Sequence, residues 1–306
     1  MSLIKKLVGV VQFNFSFLFN LQKKNQNFDN FNRILTLNQT PHPTPKRIPK
    51  KIWIYWQGAE CFLVKKCVEK IKKLNPDFEL YFLNQESLKQ YSHIDYDSLP
   101  KLTPQLKSDL IRLDLLCEHG GYWLDASILT FENLDWIQQL VDENHTLSFG
   151  YYRKKNTTIV EYPVIETWLL ATPAQQDFFI AWKKELLTVI QQSPKHYIQN
   201  IKEHIPEPEQ YFQKIGMLEY LCAYVAAQRI IRDHPPSITL INCDENAFFI
   251  QTQNRWNKYK IMQALAINDT PETMPKLIKL VGKERSLINH YYMKGKFKDN
   301  SLLGQF

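Results

Sequence analysis

Residues 103–128 read TPQLKSDLIRLDLLCEHGGYWLDASI, and no other stretch of the chain limits its fold as much. Thr103 followed by Pro104 is a helix start: a hydroxyl to cap free N–H groups, then a proline at the first helical position. Leu106, Leu110, Leu113 and Cys117 recur at steps of four, three and four, which lays a buried stripe along that helix. Gly120 ends it, because glycine is free to take a left-handed cap. Residues 122–124 form a short apolar strand that delivers Asp125 at its end. A carboxylate there lies where open α/β folds bind ligands.

The surrounding chain repeats the pattern. KIWIY (51–55) reads as a strand, and 61–74 as a helix with Val64, Cys67, Val68 and Ile71 on one face. Residues 78–83 form a second strand, followed by a helix with its body at 86–91. This alternation implies a parallel sheet with crossover helices. Beyond 145, strands are expected at 146–152 and 158–163, and 168–170 leads to a helix over 173–191. A polar loop or lid follows at 192–212, then a helix at 217–231 and strands at 238–242 and 248–250. Residues 1–45 are read as an N-terminal helix and linker, the linker being Asn/Gln-rich and then Pro/Thr-rich from 25. Residues 46–306 are one α/β domain with a helical insertion around 173–231.

With 306 residues and 44% apolar content, the chain has material for a substantial core. The net charge of +7 is uneven, concentrated at 46–51, 65–73 and 276–298. There is no Arg-rich stripe or RNA-binding aromatic signature, so nucleic acid is not an expected partner. Phosphate-bearing ligands or an anionic membrane surface account for the basicity. Five cysteines, with no C-x-x-C pair, point to a reduced, cytoplasmic setting without zinc. Near the start, Lys5 and Lys6 precede an apolar run (7–19) interrupted by Gln12, Asn14 and Ser16, and Lys23 and Lys24 follow it. The run is too short and polar to span a membrane, and it lacks a signal-peptide cleavage site. Two readings stand equally: a helix in the membrane interface with Phe13, Phe17 and Leu21 on its apolar side, and a helix packed on the domain.

Three groups of residues carry candidate chemistry. Asp125 is suited to hold Mg²⁺ or Mn²⁺, which take one or two carboxylates plus phosphate oxygens and water; Ser127, where an Asp-x-Asp pair would have its second acid, adds a hydroxyl. Asp109 and Arg112 are one helical turn apart, either an ordinary surface pair or a partly buried guanidinium that recognises phosphate or sugar oxygens. Trp53 and Trp56 end the first strand, where one is expected to stack on a nucleobase and the other to pack in the core.

Together IPKKIWIYWQG (48–58), NPDFELYFLN (75–84), SDLIRLDLLCEHGGYWLDASI (108–128) and PKLIKLVGKERS (275–286) resemble the bacterial capsular polysaccharide synthesis glycosyltransferases. These are relatives of family-32 sugar transferases and, more distantly, of glucosylating clostridial toxins. The resemblance spans roughly 46–290, and its specific part is the SD-x-x-R…GG-x-W-x-D block. It implies a GT-A (Rossmann-like) nucleotide-sugar transferase fold with a mixed, mostly parallel central sheet and additional helices. It also implies a nucleotide-sugar donor of the UDP type and Mn²⁺ or Mg²⁺. By the same resemblance, Asp109 and Arg112 contact the donor sugar and its ribose or phosphates. Asp125 is the surviving first acid of the Asp-x-Asp motif, Trp56 stacks on the base, and Trp53 stands where relatives often carry histidine. Asn289 and His290 are candidates for a late residue near the metal. Ser127 matches the D-A-T or D-A-S form of close relatives.

The implied reaction moves a sugar, with retention, to a growing surface polysaccharide or lipopolysaccharide, a free or lipid-linked glycan. Arg112, with Lys283 or Arg285, helps the metal offset charge on the leaving diphosphate. If the reaction inverts instead, Glu166 in VIETW is the first choice of base; otherwise Glu166 binds acceptor hydroxyls, with Trp168 stacking beside it. The expected location is cytoplasmic and peripheral to the membrane. Competing readings are a non-catalytic nucleotide-sugar-binding or scaffold protein of a capsule assembly complex, favoured by the missing acid, and a toxin-like protein glycosyltransferase.

Overall fold

The strand–helix alternation is realised in a computed structural model that describes residues 3–30, 33–40 and 47–306. Its strands are β1 (Ile34–Leu37), β2 (Lys51–Tyr55), β3 (Glu79–Leu83), β4 (Gly121–Leu124), β5 (Ile128–Thr130), β6 (Ser148–Tyr152), β7 (Ile165–Thr172), β8 (Ile238–Asn242) and β9 (Leu277–Lys279). Among the described residues, seven pair in one sheet in the order β1-β8-β6-β7-β4-β2-β3, while β5 and β9 form a separate antiparallel pair. β2, β3 and β4 are parallel, β7 runs antiparallel between β4 and β6, β8 is parallel to β6, and β1 closes the edge antiparallel to β8. Most strands thus point one way, as expected of a mixed, mostly parallel sheet. The carboxyl ends of β2, β4, β6 and β8 and the amino end of β7 share one edge.

The helices are α1 (Leu3–Leu18), α2 (Phe62–Leu74), α3 (Gln85–Leu88), α4 (Pro104–His119), α5 (Asp135–Glu143), α6 (Asp177–Gln192), α7 (Pro194–His204), α8 (Glu209–Phe212), α9 (Cys222–Ile230), α10 (Phe249–Gln253), α11 (Lys258–Ala266), α12 (Gly282–Tyr292) and α13 (Leu302–Gln305). Alternate residues of the strands point to opposite faces. Trp53, Trp123 and Leu170 pack with α4, α6, α7 and α9 on one face, and Ile52, Ile54, Tyr122 and Leu124 pack with α2 and α5 on the other. A third cluster joins α1, α11, α12 and α13 to β5 and β9 through Phe13, Leu265, Ile278 and Ile288.

The segment at 103–128 folds as its sequence dictates. Thr103 Oγ1 accepts from the Leu106 N–H at 3.2 Å, and Gly120 terminates α4 at φ +63°. Gly121 has φ +103°, and a Cβ there would lie 2.5 Å from the Lys51 carbonyl oxygen. The glycine pair therefore stops the helix and lets β4 lie against β2.

Several sequence expectations are corrected. The strand expected at 158–163 is turn and coil; the strand is β7, whose eight residues are all buried and so lack a period-two pattern. The lid expected at 192–212 contains α7 and α8; Ser193 accepts from the His196 N–H, and Tyr197, Ile198 and Ile201 bury one helical face. Residues 248–250 lead into α10 rather than a strand, and the helix expected from 217 starts at Cys222. The expected linker contains β1; residues 31–32 and 41–46 of that linker lie outside the described residues. Phe13 and Phe17 face the domain, with Phe13 4.6 Å from the Tyr291 ring. Leu21 is exposed as expected, but the exposed apolar residues of α1 and the turn after it are Leu7, Val8, Val11, Phe15, Leu18 and Phe19. No helix among the described residues is long and apolar enough to cross a membrane.

Candidate functional site at the carboxyl edge of the sheet

β4 brings Asp125 to the shared edge, where its N–H donates to the Trp168 carbonyl of β7 at 2.9 Å. α4 brings Arg112 underneath it. The guanidinium is buried and bridges two acids: Nη1 pairs with Asp109, and Nη2 donates to Asp125 Oδ1 at 3.0 Å. Its plane lies 5.1 Å from the Trp123 ring. Thr167 Oγ1 donates to Asp109 Oδ1 at 3.3 Å. Asp109 and Arg112 are therefore a buried pair rather than a surface one, and Arg112 Nε is buried without a hydrogen-bond partner.

The two acids differ electrostatically. Burial, only partly offset by Arg112, pushes the Asp109 carboxyl up to about 6. Burial acts on Asp125 as well, but Lys279 and Arg112 outweigh it and hold that carboxyl below the ordinary value. One acid is fixed as an anion and the other is poised near neutrality.

Lys279 was not singled out from the sequence. It ends β9, and its Nζ lies 2.8 Å from Asp125 Oδ2 and 3.4 Å from Ser127 Oγ. Ser127 Oγ donates to the Leu280 carbonyl at 3.2 Å. The juxtaposition comes from the β5–β9 pairing, in which Ile128 is opposite Lys279. The only sequence signal was that Lys279 falls inside PKLIKLVGKERS.

The other candidates are dispersed. Trp56 is half-buried, its Nε1 donating to the Ala59 carbonyl at 3.1 Å, and the Arg285 guanidinium lies 4.7 Å over its ring. Trp53 is 1% exposed, donates to the Gly120 carbonyl at 2.8 Å and stacks on Tyr81 at 4.4 Å; it is the core tryptophan of the two. Asn289 Oδ1 accepts from the Leu63 N–H at 2.8 Å in the first turn of α2. His290 is exposed with its ring against Tyr291, and Lys283 is exposed in the first turn of α12. Among the described residues, no three His, Cys, Asp or Glu side chains gather as a metal-holding group.

Glu166 sits on the same edge, near the amino end of β7. It is buried and accepts from Tyr224 Oη at 2.9 Å, and burial, despite Arg153 nearby, raises its carboxyl above the ordinary value. Trp168 is buried and stacked on Tyr151 at 4.5 Å, so it does not present a face to a sugar. Beyond Glu166, the ends of β6 and β8 border a groove of about 730 Å³. Lys154, Lys155, Lys214, Arg255 and Trp256 line it, along with Asp244, which holds Arg153 at 3.1 Å. Arg153 lies against both the Phe248 and Trp256 rings, which contact each other, and Asn242 Nδ2 at the groove is buried without a partner.

These features define an α/β protein with a cluster of charged side chains on the carboxyl edge of its sheet. Residues 12–265 match the model of the family described as capsular polysaccharide synthesis protein, and the chain belongs to that family. Over 116 residues it is 26% identical to the O-glycosyltransferase braB of Annulohypoxylon truncatum, a match that covers 32% of this chain and only 27% of that protein. Solved structures similar to it include the PaToxG glycosyltransferase (13% identity, TM-score 0.37, 98% of this chain and 96% of that one). Another is a glycosyltransferase involved in glycosylation of the major capsid of PBCV-1 (11% identity, TM-score 0.38, 79% and 98%). A third is the apo form of GlyE of Streptococcus pneumoniae TIGR4 (12% identity, TM-score 0.37, 83% and 66%). At these scores the likenesses carry no structural argument.

Proposed function

We propose that this protein is a GT-A glycosyltransferase that moves a sugar from a nucleoside diphosphate donor, of the UDP type, to a glycan acceptor. The observation that carries the reading is the Arg112–Asp125–Lys279 cluster at the sheet edge, in a member of this family. Donor phosphates lie against Lys279, with the Arg112 charge behind Asp125, and Trp56 offers the base a ring once Arg285 turns toward the phosphates. The C1–O bond to the β-phosphate breaks, its electron pair leaving on the phosphate oxygen, and the acceptor hydroxyl oxygen bonds to C1. In the retaining reading, the leaving diphosphate takes the acceptor proton. Glu166 favours a second reading: its buried, raised carboxyl beside the groove suits a general base, which inversion requires.

The groove is read as the acceptor side. α1 packs on α11, the helix that follows the groove residue Trp256 in sequence, with Gly9 against the Tyr259 ring. Lys296 Nζ donates to Asn14 of α1 at 2.6 Å, and Lys298 lies over Phe17. An apolar helix face bordered by lysines suits an anionic lipid surface, which would place a lipid-linked acceptor near the groove.

The test is turnover of UDP- and GDP-sugars by the full chain with glycan acceptors. Donor binding without transfer to any acceptor would favour the scaffold reading; the anomeric configuration of the product separates retention from inversion.

A further inference from the structure

We propose that Lys279 takes the place of the divalent metal, so that the donor diphosphate is bound and released against an ammonium group of the chain itself. The inference rests on the donor-site reading above. Asp125 and Ser127 occupy the two positions from which an Asp-x-Asp pair would reach a cation, and a cation already lies between them: Lys279 Nζ, 2.8 Å from Asp125 Oδ2 and 3.4 Å from Ser127 Oγ. The other carboxylate oxygen, Oδ1, accepts from Arg112 and from Trp123 Nε1 at 3.2 Å. The Ser127 hydroxyl donates a hydrogen bond to the Leu280 carbonyl, and the Asn289 oxygen is taken by the α2 backbone. These residues do not fit a divalent cation. A hard dication needs several free oxygen ligands, and this set offers one acid already flanked by two cations.

What a metal would do, the chain's own charges do. Asp125 fixes the Lys279 ammonium and the Arg112 guanidinium at neighbouring points; Arg112 is enclosed behind the acid, and Lys279 is the more exposed of the two cations. When the C1–O bond breaks, Lys279 donates to the phosphate oxygen that receives the electron pair, and the buried Arg112 guanidinium adds its charge from behind Asp125. The serine in place of the second acid follows from this arrangement. A second carboxylate at 127 would hold the ammonium more tightly and cancel the charge meant for the phosphate.

The experiment measures binding of uridine and guanosine diphosphates to the full chain by calorimetry, in EDTA and in Mn²⁺, alongside turnover under the same conditions. The expected result is a Kd and a kcat unchanged, to within about twofold, by chelation. Lys279→Met keeps the apolar stem and is expected to weaken diphosphate binding about tenfold or more, with Lys279→Arg restoring most of it. In Lys279→Ala, Asp125 Oδ2 and the Ser127 oxygen lose their ammonium partner, and Mn²⁺ is expected to recover part of the lost affinity. Binding that requires Mn²⁺ in the unaltered protein overturns the proposal while leaving the donor site intact. A Lys279→Met protein with lower thermal stability but unchanged diphosphate affinity reduces Lys279 to a structural partner and also overturns it. Failure to bind either diphosphate, with or without Mn²⁺, removes the donor-site reading itself and this inference with it.

Discussion

On the β4 side of the sheet edge, charge is buried and interlocked: Asp109, Arg112, Asp125 and Lys279 contact one another in a chain of ion pairs. On the β6–β8 side, Lys154, Lys155, Lys214 and Arg255 are exposed around an open groove that Asp244 and Glu245 also line, and those two acids pair with Arg153 and Arg33 instead. The first side is preorganised, its geometry set before a ligand arrives. The second is a field of positive charge that attracts and steers without fixing a pose. Glu166 lies between them, within electrostatic reach of both Lys279 and Arg153. A donor with invariant phosphates suits the rigid side, and an acceptor that grows suits the open one.

The strongest way to break this contrast is to remove Arg112. Arg112→Ala leaves Asp109 buried without its cation, and breaking one partner of a buried pair costs about 3–5 kcal/mol. Urea denaturation should show that loss, with donor-nucleotide binding gone. Arg112→Lys keeps the charge but loses the two-pronged contact to both acids, and is expected to fold better than Arg112→Ala yet bind poorly. An Arg112→Ala protein that is fully stable contradicts the interlocked reading.

Next in size is Asp125→Ala, expected to lower kcat about 100-fold by freeing Lys279 and Arg112 from their positions. Glu166→Gln separates the two stereochemical readings. A fall of about 100-fold or more in kcat with donor binding intact marks a general base, whereas a change confined to acceptor KM marks a residue that only holds the acceptor.

The two sides are unequally legible from local spacing, for a physical reason. Asp109, Arg112 and Asp125 belong to one helix–turn–strand unit, so local spacing places them together. Lys279 reaches Asp125 across 154 residues, through a strand pairing of only three residues. No periodicity announces such a contact. The groove depends on β6 lying beside β8 and on β7 intervening before β4. β7 was missed because a strand covered on both faces has no alternation to read. The same holds for Trp53 and Trp56: both stood at a strand end in sequence, and only the packing of Tyr81, Tyr91 and His119 around Trp53 assigns it to the core.

pH provides a gentler test of the rigid side. Asp109 binds its proton more tightly when folded, at about 6 against an ordinary 3.8, so stability falls as pH rises through that interval. Asp125 works in the opposite sense: its depressed value adds stability above the ordinary pKa, lost as pH falls through the folded one. As pH drops through about 6, Asp109 protonates and its hold on Arg112 loosens. kcat/KM is therefore expected to have an acidic limb near that pH, and Asp109→Asn to remove it. A limb unchanged in Asp109→Asn assigns the titration to another group, Glu166 being the first alternative.

The smallest effects belong to the open side and the helix beside it. Lys154→Glu with Lys155→Glu reverses charge on exposed residues, so stability should shift by no more than about 0.5 kcal/mol. Acceptor KM is expected to rise and donor affinity to hold. Phe15→Ser with Leu18→Ser alters side chains that are 52% and 76% exposed, leaving the Phe13 contact to the domain in place. Sedimentation with anionic vesicles should fall, and turnover should fall for a bilayer-embedded acceptor but not for a soluble glycan. Equal loss on both acceptors would mean that α1 supports the groove through α11 rather than by meeting a membrane, and the open side would then be shaped from within the fold like the closed one.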